Sequence, residues 1–157
     1  MALSREEVKN SYPLPVYNYR VEIDGTAVSF AKVSGLSMSY ETTTYKQSQT
    51  EGGKVGPMVM HMPAQPSNAT VTLEKGLITA DSMTHLYEWI QSVQLNQVDK
   101  KDIYVRLLDE TGSAVISWRV NNAFPTKLDA PSFDANGNDV AVETMELMAD
   151  GVTVELH

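Results

Sequence analysis

From Trp89 to Leu156 the chain alternates short apolar-polar runs with compact turn signals, and this stretch constrains the fold most. Asp102 to Leu108 reads as a strand, Asp109-Glu110-Thr111-Gly112 as a tight turn, and Ser113 to Val120 as the returning strand, with Ile116, Trp118 and Val120 on one face. A short crossing segment follows. Asn138 to Met148 and Val152 to Leu156 then read as a second hairpin closed by Ala149-Asp150-Gly151. The stretch specifies strands and turns and offers no nucleophile or metal cluster, which points to a building block.

The N-terminal half continues the pattern. Tyr17, Tyr19, Val21 and Ile23 alternate with polar residues, and Asp24-Gly25 is a strong two-residue hairpin signal with Thr26 to Phe30 returning. Ser34-Gly35 interrupts before Leu36 to Tyr45, rich in β-branched and aromatic residues. Residues 46–57, polar and with three glycines, read as an exposed loop; Met58, Met60 and Met62 follow at strand spacing up to Pro63. Ala69 to Lys75 alternates again. Asp81 is placed to cap one helix over about residues 81–95, with Met83, Leu86, Tyr87, Ile90 and Val93 as its apolar face. Residues 1–15 read as a mobile arm closed off by Pro13 and Pro15. Seven or eight strands and one helix make a mainly β chain whose 157 residues fit one domain of the usual size, roughly 100–150 residues.

Composition excludes several classes. There is no cysteine, hence no disulfide framework or thiolate chemistry. The charged N-terminus does not read as a signal peptide, and no run approaches the roughly 18 apolar residues of a spanning helix. The expectation is synthesis in the cytoplasm. A net charge of −8, with no basic cluster beyond Lys100-Lys101 (read as a solvated turn), argues against binding a nucleic-acid backbone.

The sequence offers little for catalysis or cofactors. His61, His85 and His157 lack metal-ligand spacing. The run from Asp134 to Asp139 starts like a calcium loop, but Asp139 and Met145 stand where glycine and glutamate are required. Asp109 and Glu110 sit at a hairpin tip, not in a cleft that would separate their pKa values. No enzyme, metal or cofactor is expected. The alternating Met58, Met60 and Met62 admit two readings: ordinary core, or an adaptable face awaiting a partner.

A set of pieces in fixed order carries a resemblance: Tyr12-Pro13-Leu14-Pro15-Val16-Tyr17; Phe30 with Val33-Ser34-Gly35-Leu36; Leu73-Glu74-Lys75-Gly76; Trp89-Ile90-Gln91-Ser92-Val93; Leu107 to Gly112; Trp118 to Pro125; Ser132-Phe133-Asp134-Ala135; and Val140 to Leu147. Together, from about Tyr12 to Val154, they resemble the inner-tube proteins of contractile injection systems and contractile phage tails. The resemblance is greatest to the tube subunits of extracellular phage-tail-like particles of the antifeeding-prophage and Photorhabdus virulence cassette type. It implies two packed antiparallel sheets, a β-sandwich or split barrel, with one flanking helix. It implies homohexameric rings stacked into a tube, with sheath, baseplate or hub proteins, tube paralogues and a lumen cargo as partners, in a released extracellular particle or virion. The 40–62 hairpin would reach a neighbouring subunit or ring. Tyr45, Lys46, Gln47, Lys54, Val55, Met58, Met60 and Met62 are thus candidate contacts, with the 1–15 arm and, in the 129–138 loop, Asp134 and Asn136. Six copies would bring about 48 net negative charges to a ring, so assembly is expected to depend on ionic strength. The alternatives are a ring-forming tube protein of type VI secretion and a non-catalytic β-sandwich ligand-binding module.

Overall fold

The computed structural model describes residues 2–78, 82–95 and 97–157, without the side chains of residues 82–85. Ten strands and two helices are seen: α1 (Arg5–Ser11), β1 (Tyr19–Ile23), β2 (Thr26–Val28), β3 (Lys32–Ser34), β4 (Tyr40–Gln47), β5 (Met58–Pro66), β6 (Ala69–Gly76), α2 (Ser82–Gln91), β7 (Lys101–Leu108), β8 (Ala114–Asp129), β9 (Val142–Ala149) and β10 (Gly151–Leu156). Eight strands form one antiparallel network in the order β2-β1-β7-β8-β9-β6-β3, with β10 also on β8; β4 and β5 form a separate two-stranded ribbon.

Strand β8 joins the two halves of this network. Its N-terminal part pairs with β7 and with β10, its C-terminal part with β9. The register runs on from Phe124 opposite Met148 to Asn121 opposite Gly151. So β9 and β10 are not the expected hairpin. They lie end to end along one edge of β8, broken at Asp150. At the corner Asn122 takes a positive φ of 51°, its Nδ2 donates to Asp150 Oδ2 at 2.9 Å, and its backbone N–H donates to Asp102 Oδ1 at 3.0 Å. What the sequence presents as a short crossing segment is the continuation of a 16-residue strand. Pro125 sits inside it beside a register shift, where a missing N–H is tolerated.

The two halves pack onto a single core. Four-residue rows cross the first half: Ile23, Ile103, Val120 and Val152 in one, Val21, Val105, Trp118 and Val154 in the next, and Tyr19, Leu107, Ile116 and Leu156 in the third. Val33, Leu73, Met145 and Leu128 form a row in the second half. Val71, Leu73, Met145 and Leu147 are fully buried with Ile103 and Val120 in one cluster. Leu86 and Trp89 of α2 close its side, and Trp89 Nε1 donates to the Asp99 carbonyl at 2.8 Å. The inward stripe of β6 and β9 ends in two buried charged residues, Lys75 opposite Glu143, with Lys75 Nζ donating to the Ser29 carbonyl at 3.1 Å.

Several expectations need correcting. The arm contains α1, whose Ser4 and Glu7 form a reciprocal capping box; the Ser-x-x-Glu spacing announces it in the sequence. Among the described residues there are therefore two helices, not one. Helix α2 ends at Gln91; Tyr87 and Val93 of its expected apolar face are exposed, while Trp89 is buried. The expected Asp81 cap lies outside the described residues, as does the side chain of Met83. Strand β4 begins only at Tyr40, and β5 runs past Pro63 to Pro66 through a register irregularity between the Thr42–Pro63 and Tyr40–Pro66 pairs, where missing N–H groups are tolerated. Lys101 opens β7 and lies 5.3 Å over the Trp89 ring, and Lys100 5.6 Å over Phe124, so neither is a bare solvated turn.

Candidate assembly surfaces

Three surfaces stand out: the ribbon, an apolar groove, and a polar sheet face. The ribbon leaves the body between β3 and β6. Gly35 makes this exit possible: its φ is +85°, and a Cβ there would lie 2.2 Å from the Thr70 carbonyl oxygen. Tyr45 pairs with Met60, Thr43 with Met62 and Gln47 with Met58. Strand alternation therefore puts Tyr45, Gln47, Met58, Met60 and Met62 on one face and Lys46, Val59 and His61 on the other. Tyr45 is 50% exposed and no residue of either strand is buried. Thr44 Oγ1 and His61 Nδ1 lie 3.2 Å apart across the second face. Lys54 pairs with Glu51 at 2.7 Å in the tip, where Val55 is 98% exposed.

Asp134 and Asn136 do not join this group. Asn136 N–H donates to Asp134 Oδ1 at 3.0 Å and Gly137 N–H to the Asp134 carbonyl, a self-contained turn. Among the described residues no three His, Asp or Glu side chains converge on a common point.

A groove of about 740 Å³ opens where the two halves of the network part. Val16, Tyr17, Tyr19, Phe30, Leu36, Leu107 and Trp118 line it, and among the described residues Lys32 is the one charged lining residue. The rows of the first half explain it: the first is buried throughout, whereas the third runs from half-buried Tyr19 to exposed Leu156. The described residues do not cover the apolar face that these strands build. Tyr19 Oη donates to the Phe30 carbonyl at 2.6 Å and ties the groove's two sides together; burial pushes its phenol above the usual range.

The opposite face of the same strands is polar. Arg106 Nε binds Glu22 Oε2 at 3.2 Å, its guanidinium stacks 4.7 Å from the Tyr104 ring, and its Nη1 donates to Ser117 Oγ at 3.1 Å. Ser117 Oγ also lies 2.7 Å from His157 Nε2. Arg119 binds Asp102 at 2.6 Å. The Asn122 N–H, followed by Arg119, holds the Asp102 carboxyl below its ordinary range. At the β7–β8 turn Asp109 Oδ1 accepts from the backbone N–H groups of Thr111 and Ser113 and from the Thr111 hydroxyl, while Glu110 pairs with Lys9 of α1 at 3.0 Å. These carboxylates fix a turn and hold a helix. The groove and the polar face depend on which strands pair, which local alternation does not reveal.

An open-ended sandwich bearing a free two-stranded ribbon is built for association, and sequence comparison identifies the kind. The model of the T4-like virus tail tube protein gp19 family matches residues 15–153. The chain belongs to this tail tube family. As a tail tube protein it is a structural subunit, not an enzyme. Its fold agrees over nearly the full length with a chain of an extracellular contractile injection system, the PVC sheath-tube complex in the extended state: TM-score 0.88, 39% identity, 99% of this chain and 100% of that one covered. A chain of the anti-feeding prophage cap matches with TM-score 0.84 and 39% identity, covering 94% and 93%. A chain of the PVC sheath/tube terminator matches with TM-score 0.81 and 41% identity, covering 92% and 98%. The fold extends to a chain of the anti-feeding prophage baseplate at 20% identity and to Hcp1 from Flavobacterium johnsoniae at 16%. No curated protein sequence matches.

Proposed function

We propose that this tail tube protein forms the rigid inner tube of an extracellular contractile injection particle. Six copies make a ring, rings stack around a central channel, a sheath surrounds the tube, and cargo leaves through the lumen. The single observation behind this reading is the full-length likeness to the sheath–tube chain, at an identity well above that to Hcp1. The same contrast favours the main tube over a ring beside the baseplate. The matching sheath–tube, cap and terminator chains are about 40% identical to this one, the baseplate chain 20%. The free edges of the network and of the ribbon would be paired between copies, which removes the aggregation hazard of exposed strand edges.

Negative-stain electron microscopy of the concentrated protein across a range of salt tests the proposal. Six-fold rings or stacked tubes with a stain-filled hole are expected, with assembly increasing as salt screens the −8 charge of each copy. A monodisperse monomer at every salt concentration would count against self-assembly as a tube. Assembly indifferent to salt would overturn the electrostatic part alone.

A further inference from the structure

We infer that Ser117 and His157 form a pH-sensitive latch that fastens the end of β10 to β8 at neutral pH and lets it go in acid.

Ser117 belongs to the polar sheet face yet is fully buried, with β7 on one side and β10 on the other. Its Oγ accepts from Arg106 Nη1 at 3.1 Å and lies 2.7 Å from His157 Nε2. A guanidinium only donates, so the single hydroxyl proton of Ser117 is left for the imidazole. Nε2 is then the bare acceptor and the ring proton sits on Nδ1. An imidazolium carries a proton on both nitrogens. Protonation would set two cationic donors on one oxygen and leave the buried Ser117 proton without its acceptor.

Charges on every neighbouring strand face this site. Glu155 of β10, Arg106 of β7 and Arg20 of β1 stand in the row of Ser117. The next row inward holds Arg119, Tyr104 and Glu22, with Asp102 bound to Arg119. Beyond Val115 the β7–β8 turn carries Asp109 and Glu110, engaged by Thr111, Ser113 and Lys9. Glu155 and the main-chain carboxylate of His157 would favour an imidazolium; Arg106 and Arg20 would oppose it. Solvent screens the outer charges, whereas the Ser117 hydroxyl is sealed, so the misplaced hydrogen bond decides the direction.

Along β10 the apolar cover thins toward its end. Val152 is buried, but Val154 is 40% and Leu156 80% exposed. The latch acts where that cover fails, beside the bond from the His157 N–H to the Val115 carbonyl at 3.0 Å. Its release should fray residues 154–157 and bare the β8 edge from Val115 to Trp118, while Val152 keeps the start of β10 in place. The device works within one chain and needs no second copy.

Two substitutions at exposed His157 test it. Gln offers a carbonyl acceptor that does not titrate, and Ala offers none. Amide hydrogen exchange of residues 154–157, expressed as protection over the free-peptide rate, is followed from about pH 7.5 to about pH 5.5, where imidazoles gain a proton. The unsubstituted chain should lose protection roughly ten-fold and His157→Gln none, while His157→Ala should stay at the low level throughout. Glu143 is present in all three chains, so its own titration cancels in the comparison. Nitrogen NMR of the His157 ring at neutral pH should find the proton on Nδ1. A proton on Nε2 overturns the latch, as does protection that acid leaves unchanged in the unsubstituted chain. An equal loss in His157→Gln overturns it too.

Discussion

The body and the ribbon are built from the same kind of strand yet obey different physics. In the body, Val71, Leu73, Met145 and Leu147 are sealed between two halves of a folded sheet. In the ribbon, Met58, Met60 and Met62 alternate as regularly, and none is buried. Alternation announces which residues share a face. It does not announce whether the chain itself supplies the cover. Body residues should thus govern the stability of the isolated chain, and ribbon residues its association.

The largest effect expected from breaking this contrast is at Leu73. Leu73→Ala opens a cavity under the central strands and should cost about 2–5 kcal/mol in urea unfolding, enough to threaten folding. Gly35→Ala comes next. Positive φ and a collision with the Thr70 carbonyl should cost about 1–3 kcal/mol or more, and would show whether the ribbon's exit is coupled to the body. Met58→Ala with Met62→Ala should leave monomer stability within about 0.5 kcal/mol while reducing tube formation, read by thermal melting and micrographs of the same sample. A large loss of monomer stability would show that the ribbon belongs to the body.

Glu143 sharpens the comparison from inside the body. Burial raises its carboxyl above the ordinary 4.5, Lys75 opposes this, and Oε1 has no hydrogen-bond partner among the described residues. A carboxyl whose pKa is raised by folding favours the protonated folded state. Its cost is therefore absent below pH 4.5 and grows as pH rises through the folded value. Glu143→Gln should raise the melting temperature at neutral pH, leave it unchanged at pH 4, and flatten the pH dependence of melting between them. The smallest effect is expected at Lys9, whose exposed pair with Glu110 tethers α1: Lys9→Ala should leave the melting temperature unchanged.

Much of the fold was legible locally. Asp24-Gly25 turns β1 into β2 with positive φ at both residues, and Asp109 to Gly112 turns β7 into β8, because turn chemistry acts within a few residues. The segment Ala149-Asp150-Gly151 has the same kind of composition yet joins two strands that do not pair with each other, because β8 takes both. The candidate ribbon residues were readable as a stripe, but the groove was not. Tyr19, Leu107 and Trp118 are far apart in sequence and meet only through the pairing of β1, β7 and β8.

The sequence by itself determined the strands, most of the tight turns, the capping box of α1 and the methionine stripe, each set by neighbours within a turn or two of backbone. Only the tertiary structure decided that β8 would serve both halves of the sheet, that Lys75 and Glu143 would be buried, and that one end of the core would stay open. Those outcomes depend on non-local strand order and on where apolar surface exceeds the cover available, quantities that no short window of residues contains.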